Sequence, residues 1–149
     1  MSIGDADDPL QVINPTSLGA PRGFSHGLLA PPGARLLFVA GQTAADAEGR
    51  VGPPDFAAQF DTALARVLTV VQEAGGTPSH VARMTVFVTD LDAYLASRKV
   101  LREIWARRMG THYPAIALVE VSRLVDRGAS VEIEATAAIP DASDNVTRR

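Results

Sequence analysis

The segment Tyr113-Pro-Ala-Ile-Ala-Leu-Val-Glu-Val-Ser-Arg123 gathers the residues of this chain best suited to chemistry. On an extended strand side chains alternate between two faces, so Ile116, Leu118 and Glu120 share one face and Ala117, Val119 and Val121 the other. A carboxylate beside two aliphatic side chains, if secluded from water, holds its proton more tightly than one in solvent, which suits acid/base work near neutral pH. Two structural alternatives stay open: an edge-strand carboxylate in solvent, or an ion pair with Arg123.

Other candidates are weaker. His26, His80 and His112 stand at no metal-like spacing, and no metal site is expected. Gly41-Gln42 suits a backbone turn with an amide contact and falls far short of a phosphate-binding loop. Ser25 and Ser122 have no basic partner that the sequence identifies. Tyr94, Arg98, Leu101 and Trp105 fall on one helical seam, so Arg98 is expected beside apolar side chains, either reaching a pocket or laying its stem over apolar surface.

The elements that must position these residues follow from periodicity and turn chemistry. Phe24–Leu29 and Arg35–Ala40 read as strands joined in a hairpin through Pro31-Pro32-Gly33. Phe56, Phe60, Leu64, Val67, Leu68 and Val71 recur at helical spacing between an Asp55 cap and a Gly75-Gly76 stop. Val81–Thr89 reads as a strand, and a second helix runs from Asp90–Asp92 to about Met109. Ala115–Val121 and Ser130–Ile139 are strands again, or one merged strand. Two strand–helix–strand units predict an α/β (α+β) domain, its mixed sheet carrying two helices on one face. Alternation of Val131, Ile133 and Ala135 with Glu132, Glu134 and Thr136 predicts that the other face meets water or a wet subunit interface.

The chain has 149 residues, 46% of them hydrophobic, which fits one domain held by packing alone. Residues 1–13 and 140–149 are expected to be flexible flanks of a domain spanning 14–139. No cysteine excludes disulfides, a thiol nucleophile and a thiolate metal site. A net charge of −3 and one lysine, Lys99, leave no basic patch for nucleic acid. No apolar run approaches membrane length, and the acidic start Met1–Leu10 lacks the features of a secretory signal. The chain is therefore expected in the cytoplasm.

Val39-Ala-Gly-Gln42, Met84-Thr-Val-Phe-Val-Thr-Asp-Leu91, Tyr113-Pro-Ala115, Val119-Glu-Val-Ser-Arg-Leu124 and Val131-Glu-Ile-Glu-Ala135, in this order, resemble the blocks of the Rid (YjgF) family of reactive-intermediate deaminases. The likeness runs from about Asn14 to Ile139. It implies a chorismate-mutase-like fold and a homotrimer whose sheets form a barrel. It also implies small-molecule pockets between subunits, and hydrolysis of imines or enamines to keto acids and ammonia without metal or cofactor. Of the family's pocket residues only the glutamate carries over, as Glu120; the arginine position is Ile116, the tyrosine position Phe24, the serine position Ala40, before Gly41, and an often-asparagine position Arg98. Arg123, in the family's Arg-Leu block, would tie the strand end to a neighbouring subunit.

A two-pronged guanidinium–carboxylate pair is a strong anchor, since each hydrogen bond to a charged group is worth about 1.5–3 kcal/mol. Isoleucine offers none. With Phe24, Ala40, Ile116 and Leu118 around Glu120, the expected ligand is less charged and more hydrophobic than an amino-acid-derived imine. Two functions fit: a Rid-type hydrolase with shifted substrate, or a non-catalytic small-molecule-binding trimer that has lost the deaminase reaction. The ribonuclease or translation-inhibitor activities attached to some relatives suit this acidic chain least.

Overall fold

Local signals build the first helix of the computed structural model, which describes residues 10–141. Asp55 lies outside helix α1 (Phe56–Glu73) and its carboxylate accepts the Ala58 N–H at 3.1 Å. The apolar stripe Phe56, Phe60, Leu64, Val67 and Val71 is buried, with Leu68 half-buried at its flank. Gly75, at φ +86°, turns the chain, and the Gly76 N–H returns to the Val71 carbonyl at 2.9 Å. Gly76 also sits hard against the sheet, because a Cβ there would meet Val71 Cγ1 at 2.9 Å and Ile139 Cδ1 at 3.1 Å.

The strands are β1 (Gln11–Ile13), β2 (Gly27–Leu29), β3 (Arg35–Gln42), β4 (Val81–Val88), β5 (Ala115–Glu120) and β6 (Val131–Ile139). Four of them form a mixed sheet in the order β3-β6-β4-β5. β6 is antiparallel to both β3 and β4, while β4 and β5 are parallel. The expected mixed sheet is therefore present, with its strand–helix–strand units intact: α1 links β3 to β4, and the second helical region links β4 to β5. β5 and β6 do not merge; each pairs with β4.

The hairpin expected between Phe24–Leu29 and Arg35–Ala40 does not form. β2 begins at Gly27 and pairs with β1, placing Val12 opposite Leu28. The turn at Pro31–Gly33 is real, but it turns the chain from one sheet into another. β1 lies within the segment 1–13 expected to be flexible; residues 1–9 and 142–149 lie outside the described residues. Phe24 precedes β2 and is on no strand.

The second helix also differs from expectation. It divides at Ser97 into α2 (Leu91–Ala96) and α3 (Arg98–Met109). The Ser97 hydroxyl donates to the Ala93 carbonyl at 2.8 Å, while its N–H reaches both Ala93 and Tyr94 carbonyls. A serine that bonds back to the preceding turn bends a helix. Three helices thus form the single covering layer.

Sheet register sorts the faces. Val39, Met84, Val86, Val88, Val131, Ile133 and Ala135 point to the helices and are buried, with Ile116 and Leu118 half-buried beside them. The other face carries Leu36 and Phe38 on β3, Arg83, Thr85 and Phe87 on β4, Val119 on β5, and Glu132, Glu134 and Thr136 on β6. Among the described residues no helix covers it, and Phe38 is 75% exposed.

Across the helix layer, Asp61 of α1 receives Arg107 at 3.0 Å and Arg108 at 2.8 Å from the last turn of α3. The Arg108 hydrogen bond, opposed in part by desolvation, holds the Asp61 carboxyl below its ordinary range. A lowered folded-state value stabilises the fold above the unfolded value and loses that effect as pH falls through the folded one.

Two outcomes are expected. Gly76→Ala loses about 1–3 kcal/mol in urea unfolding, the usual cost of overpacking; wild-type stability would mean that Val71 and Ile139 yield freely. Asp61→Asn loses up to about 1 kcal/mol at neutral pH, as exposed pairs do. The gap to wild type narrows as pH falls below about 3.9, the ordinary aspartate value, and a pH-independent gap would contradict the pairing.

Candidate functional site

Glu120 ends β5, an edge strand, opposite the buried Val88 of β4. Its side chain is exposed, and Oε2 accepts the Leu91 N–H at 2.9 Å at the start of α2. The carboxylate thus holds an otherwise unpaired amide of a helix terminus, where negative charge is favourable. No ion pair joins it to Arg123 among the described residues. The described residues of its own protomer do not provide the expected seclusion, because among them no strand lies beyond β5. Ile116 and Leu118 share its face, as alternation predicted, but they lean on the core cluster around Met84 and Val86.

Phe24 is held at the other end of β5. The neighbouring Ser25 is buried; its N–H bonds the Pro114 carbonyl at 3.0 Å and its hydroxyl the Tyr113 carbonyl at 2.6 Å. Phe24 itself packs edge-on against His26 with centroids 5.2 Å apart. The six-residue strand separates this segment from Glu120 by roughly 16 Å at ~3.3 Å per residue.

Ala40 and Gly41 lie on the opposite edge strand, where the β3–β6 register shifts between Val39 and Gln42. The Gln42 side-chain amide donates to the Ala40 carbonyl at 3.1 Å, but the turn expected at Gly41-Gln42 is instead the irregular end of β3, with Gln42 still paired to Ile133. Three strand spacings, about 14 Å, separate this edge from β5. Arg98 opens α3, exposed and in no ion pair among the described residues. The break at Ser97 leaves Leu101 buried and Tyr94 and Trp105 packed on the core while Arg98 projects away. The expected seam is therefore interrupted at Arg98. The seven candidates are spread over both edges and the helix layer, and one protomer does not bring them together.

Sequence reasoning passed over Glu132. It stands half-buried on the helix-free face of the central strand β6, opposite Phe87. Its carboxylate occupies the space beside Gly41 where a side chain would begin: a Cβ there would overlap Oε1 and meet Cδ at 2.9 Å. The available signal was the Val131-Glu-Ile-Glu alternation, combined with a glycine on a strand, which marks a close approach. His112 lies near the start of β5, where its Nε2 meets the Val81 carbonyl at 2.7 Å and its own carbonyl accepts Trp105 Nε1–H at 3.1 Å. Trp105 stacks on Tyr113 at 5.8 Å. Among the described residues no three His, Asp or Glu side chains gather as metal ligands, and no helix is long and apolar enough to cross a membrane.

Comparison with known proteins places the chain in a class. Residues 16–139 match the model of the family described as Endoribonuclease L-PSP, and the chain belongs to this family, also called YjgF or Rid. A RutC family protein of Haemophilus influenzae is 33% identical over 103 residues, covering 68% of this chain and 78% of that protein. TdcF of Escherichia coli K12, a candidate reactive intermediate deaminase, is 30% identical over 102 residues, covering 68% of this chain and 78% of TdcF. Among solved structures, the Rid family protein YyfB of Yersinia pestis superposes with a TM-score of 0.76 at 35% identity, over 88% of this chain and 99% of YyfB. The structure of Escherichia coli TdcF with bound serine superposes with a TM-score of 0.61 at 29% identity, over 80% and 91% of the two chains.

Gly41→Ala is expected to displace the Glu132 carboxylate. A high-resolution structure of the variant checks this, with unfolding in urea showing a loss of about 1–3 kcal/mol. An unmoved Glu132 would show that the close approach constrains nothing.

Proposed function

We propose that this protein is a Rid-type hydrolase that acts on imine- or enamine-like reactive metabolites in a pocket completed by a neighbouring copy, with Glu120 as the water-orienting acid/base. One observation carries this reading. Ala40 and Gly41 sit on one edge strand and Ile116, Leu118 and Glu120 on the other, so only two copies can bring them face to face. A ring in which the β3 side of one copy meets the β5 side of the next joins the two halves, and the resemblance assigns three copies to it. The uncovered face of Leu36, Phe38 and Val119 supplies apolar surface for that contact.

In this site Glu120 keeps Oε2 on the Leu91 N–H and leaves Oε1 for a water or a leaving nitrogen. The carboxylate takes a proton from water as its oxygen bonds the C=N carbon and passes it to the nitrogen, giving a carbinolamine; it then takes the hydroxyl proton and delivers it to the amine as the C–N bond breaks, leaving a carbonyl and ammonia. Ile116 in place of the family's arginine, with Phe24, Ala40 and Leu118, favours substrates whose reacting carbon bears no carboxylate. The reading rests on family membership and on the similarity to TdcF, whose structure holds serine.

A second reading gives the acid/base role to Glu132 and leaves Glu120 a helix-terminus partner. It is favoured by the bare backbone at Gly41, over which the Glu132 carboxylate lies, on the sheet face open to a neighbour.

Ammonia release from imines tests both readings. Replacing the working acid/base by glutamine lowers turnover about 10²–10⁴-fold, so Glu120→Gln and Glu132→Gln separate them. Neutral N-unsubstituted imines, such as aryl ketimines, are expected to release ammonia faster than carboxylated ones, and Ile116→Arg to reverse that order. Ligand binding without turnover in any variant would leave a binding protein instead.

A further inference from the structure

The loop between β5 and β6 is unusually well held for a connecting segment. At its ends, Val121 N–H bonds the Val88 carbonyl at 2.8 Å and Thr89 N–H the Ser130 carbonyl at 3.1 Å. In its middle, Asp126 Oδ2 accepts the hydroxyl of Thr43 at 2.5 Å, and Thr43 is buried. The buried Gln59 of α1 completes the fixation. Its Nε2 donates to the Gly128 carbonyl at 3.2 Å, while its Oε1 accepts the Ser130 N–H at 2.9 Å and hydroxyl at 3.0 Å. Polar side chains that are buried and satisfied fix a backbone in place.

This held loop and Thr89 enclose an open cleft of about 680 Å³, lined also by Ser122, Arg123, Asp126 and Arg127. Arg123 and Arg127 form no ion pair among the described residues, whereas Arg50, Arg107 and Arg108 all do. Asp126 is the one carboxylate of the lining, and an oxygen of it is already committed to Thr43. The cleft therefore carries two guanidinium groups against one partly engaged carboxylate. Guanidinium forks match the oxygens of a carboxylate or phosphate, and hydroxyls such as those of Ser122 and Thr89 add donors.

We infer that this cleft is an oxyanion site for a small carboxylate or phosphate ligand, with Arg123 and Arg127 as its two cationic donors. The volume suits a small molecule, and the acidic chain offers no continuing basic track for a polyanion. None of the residues assigned to the proposed reaction lines the cleft, so the inference stands or falls independently of that reaction.

The test is a titration of the wild-type protein with inorganic phosphate, with succinate and with the neutral succinamide, followed by backbone amide NMR. Saturable shifts at Thr89 and in the segment 122–129 are expected with phosphate or succinate and not with succinamide. Phosphate alone would assign a phosphorylated ligand, and succinate alone a carboxylate. Arg123→Ala and Arg127→Ala each weaken binding about tenfold or more, the effect of losing a charged hydrogen-bond donor. Arg123→Lys and Arg127→Lys, which keep the charge and lose the fork, fall between. The assembly measured by light scattering stays unchanged in all four variants. Absence of saturable binding by either anion, or wild-type affinity in the double alanine variant, would overturn the inference. So would dissociation of the assembly in the lysine variants, because the arginines would then be holding subunits together.

Discussion

One layer of helices covers a single face of the sheet while the other face still carries large apolar side chains, and the remaining architecture follows from that imbalance. α1, α2 and α3 all lie against the side bearing Met84, Val86 and Ile133. The opposite side presents Leu36, Phe38 and Val119 to solvent in the single chain. These alternate with Arg83, Thr85, Glu132 and Glu134, giving a surface neither polar enough for a free face nor apolar enough for a closed core. Such a surface suits a wet contact between folded chains. The candidate residues obey the same division, with Ala40 and Glu132 on the open face and Glu120 at the edge of the covered one.

What could be read from the sequence was what is encoded locally. α1 was legible in full because its cap, stripe and stop each rest on contacts within a few residues: Asp55 to Ala58, Phe56 through Val71, Gly76 to Val71. The faces of β5 and β6 were legible because alternation is a property of a single strand. Pairing was less so. Pro31-Pro32-Gly33 specified a turn, but no local signal says which strand lies beside β2, and β1 takes the place expected for β3. The break at Ser97 escaped notice because a serine inside an apolar seam reads as a tolerated helical residue until its hydroxyl is seen bonding to Ala93.

The candidate site was legible by residue type and not by position. Glu120 was correctly placed with Ile116 and Leu118, yet whether that face is closed depends on β5 being an edge strand, which is decided by the order β3-β6-β4-β5. Glu132 was visible as half of an alternating pair but carried no distinguishing mark until Gly41 lay beside it, far earlier in the chain. Arg98 shows a third limit: its neighbours on the seam were read from one continuous helix, and the helix divides at Ser97.

The two carboxylates also differ in what the backbone does for them. At Glu120 the main chain supplies a donor, the Leu91 N–H, which steadies one oxygen and satisfies the start of α2. At Glu132 the main chain supplies room, because Gly41 has no side chain and β3 is irregular there. A donor fixes the direction of a carboxylate, whereas room beside bare backbone lets a ligand approach and leaves the carboxylate to be completed by whatever binds. The fold sets Glu120 on the edge strand of the covered face and Glu132 on an inner strand of the open face, so within one chain a ligand meets one of these properties and not both.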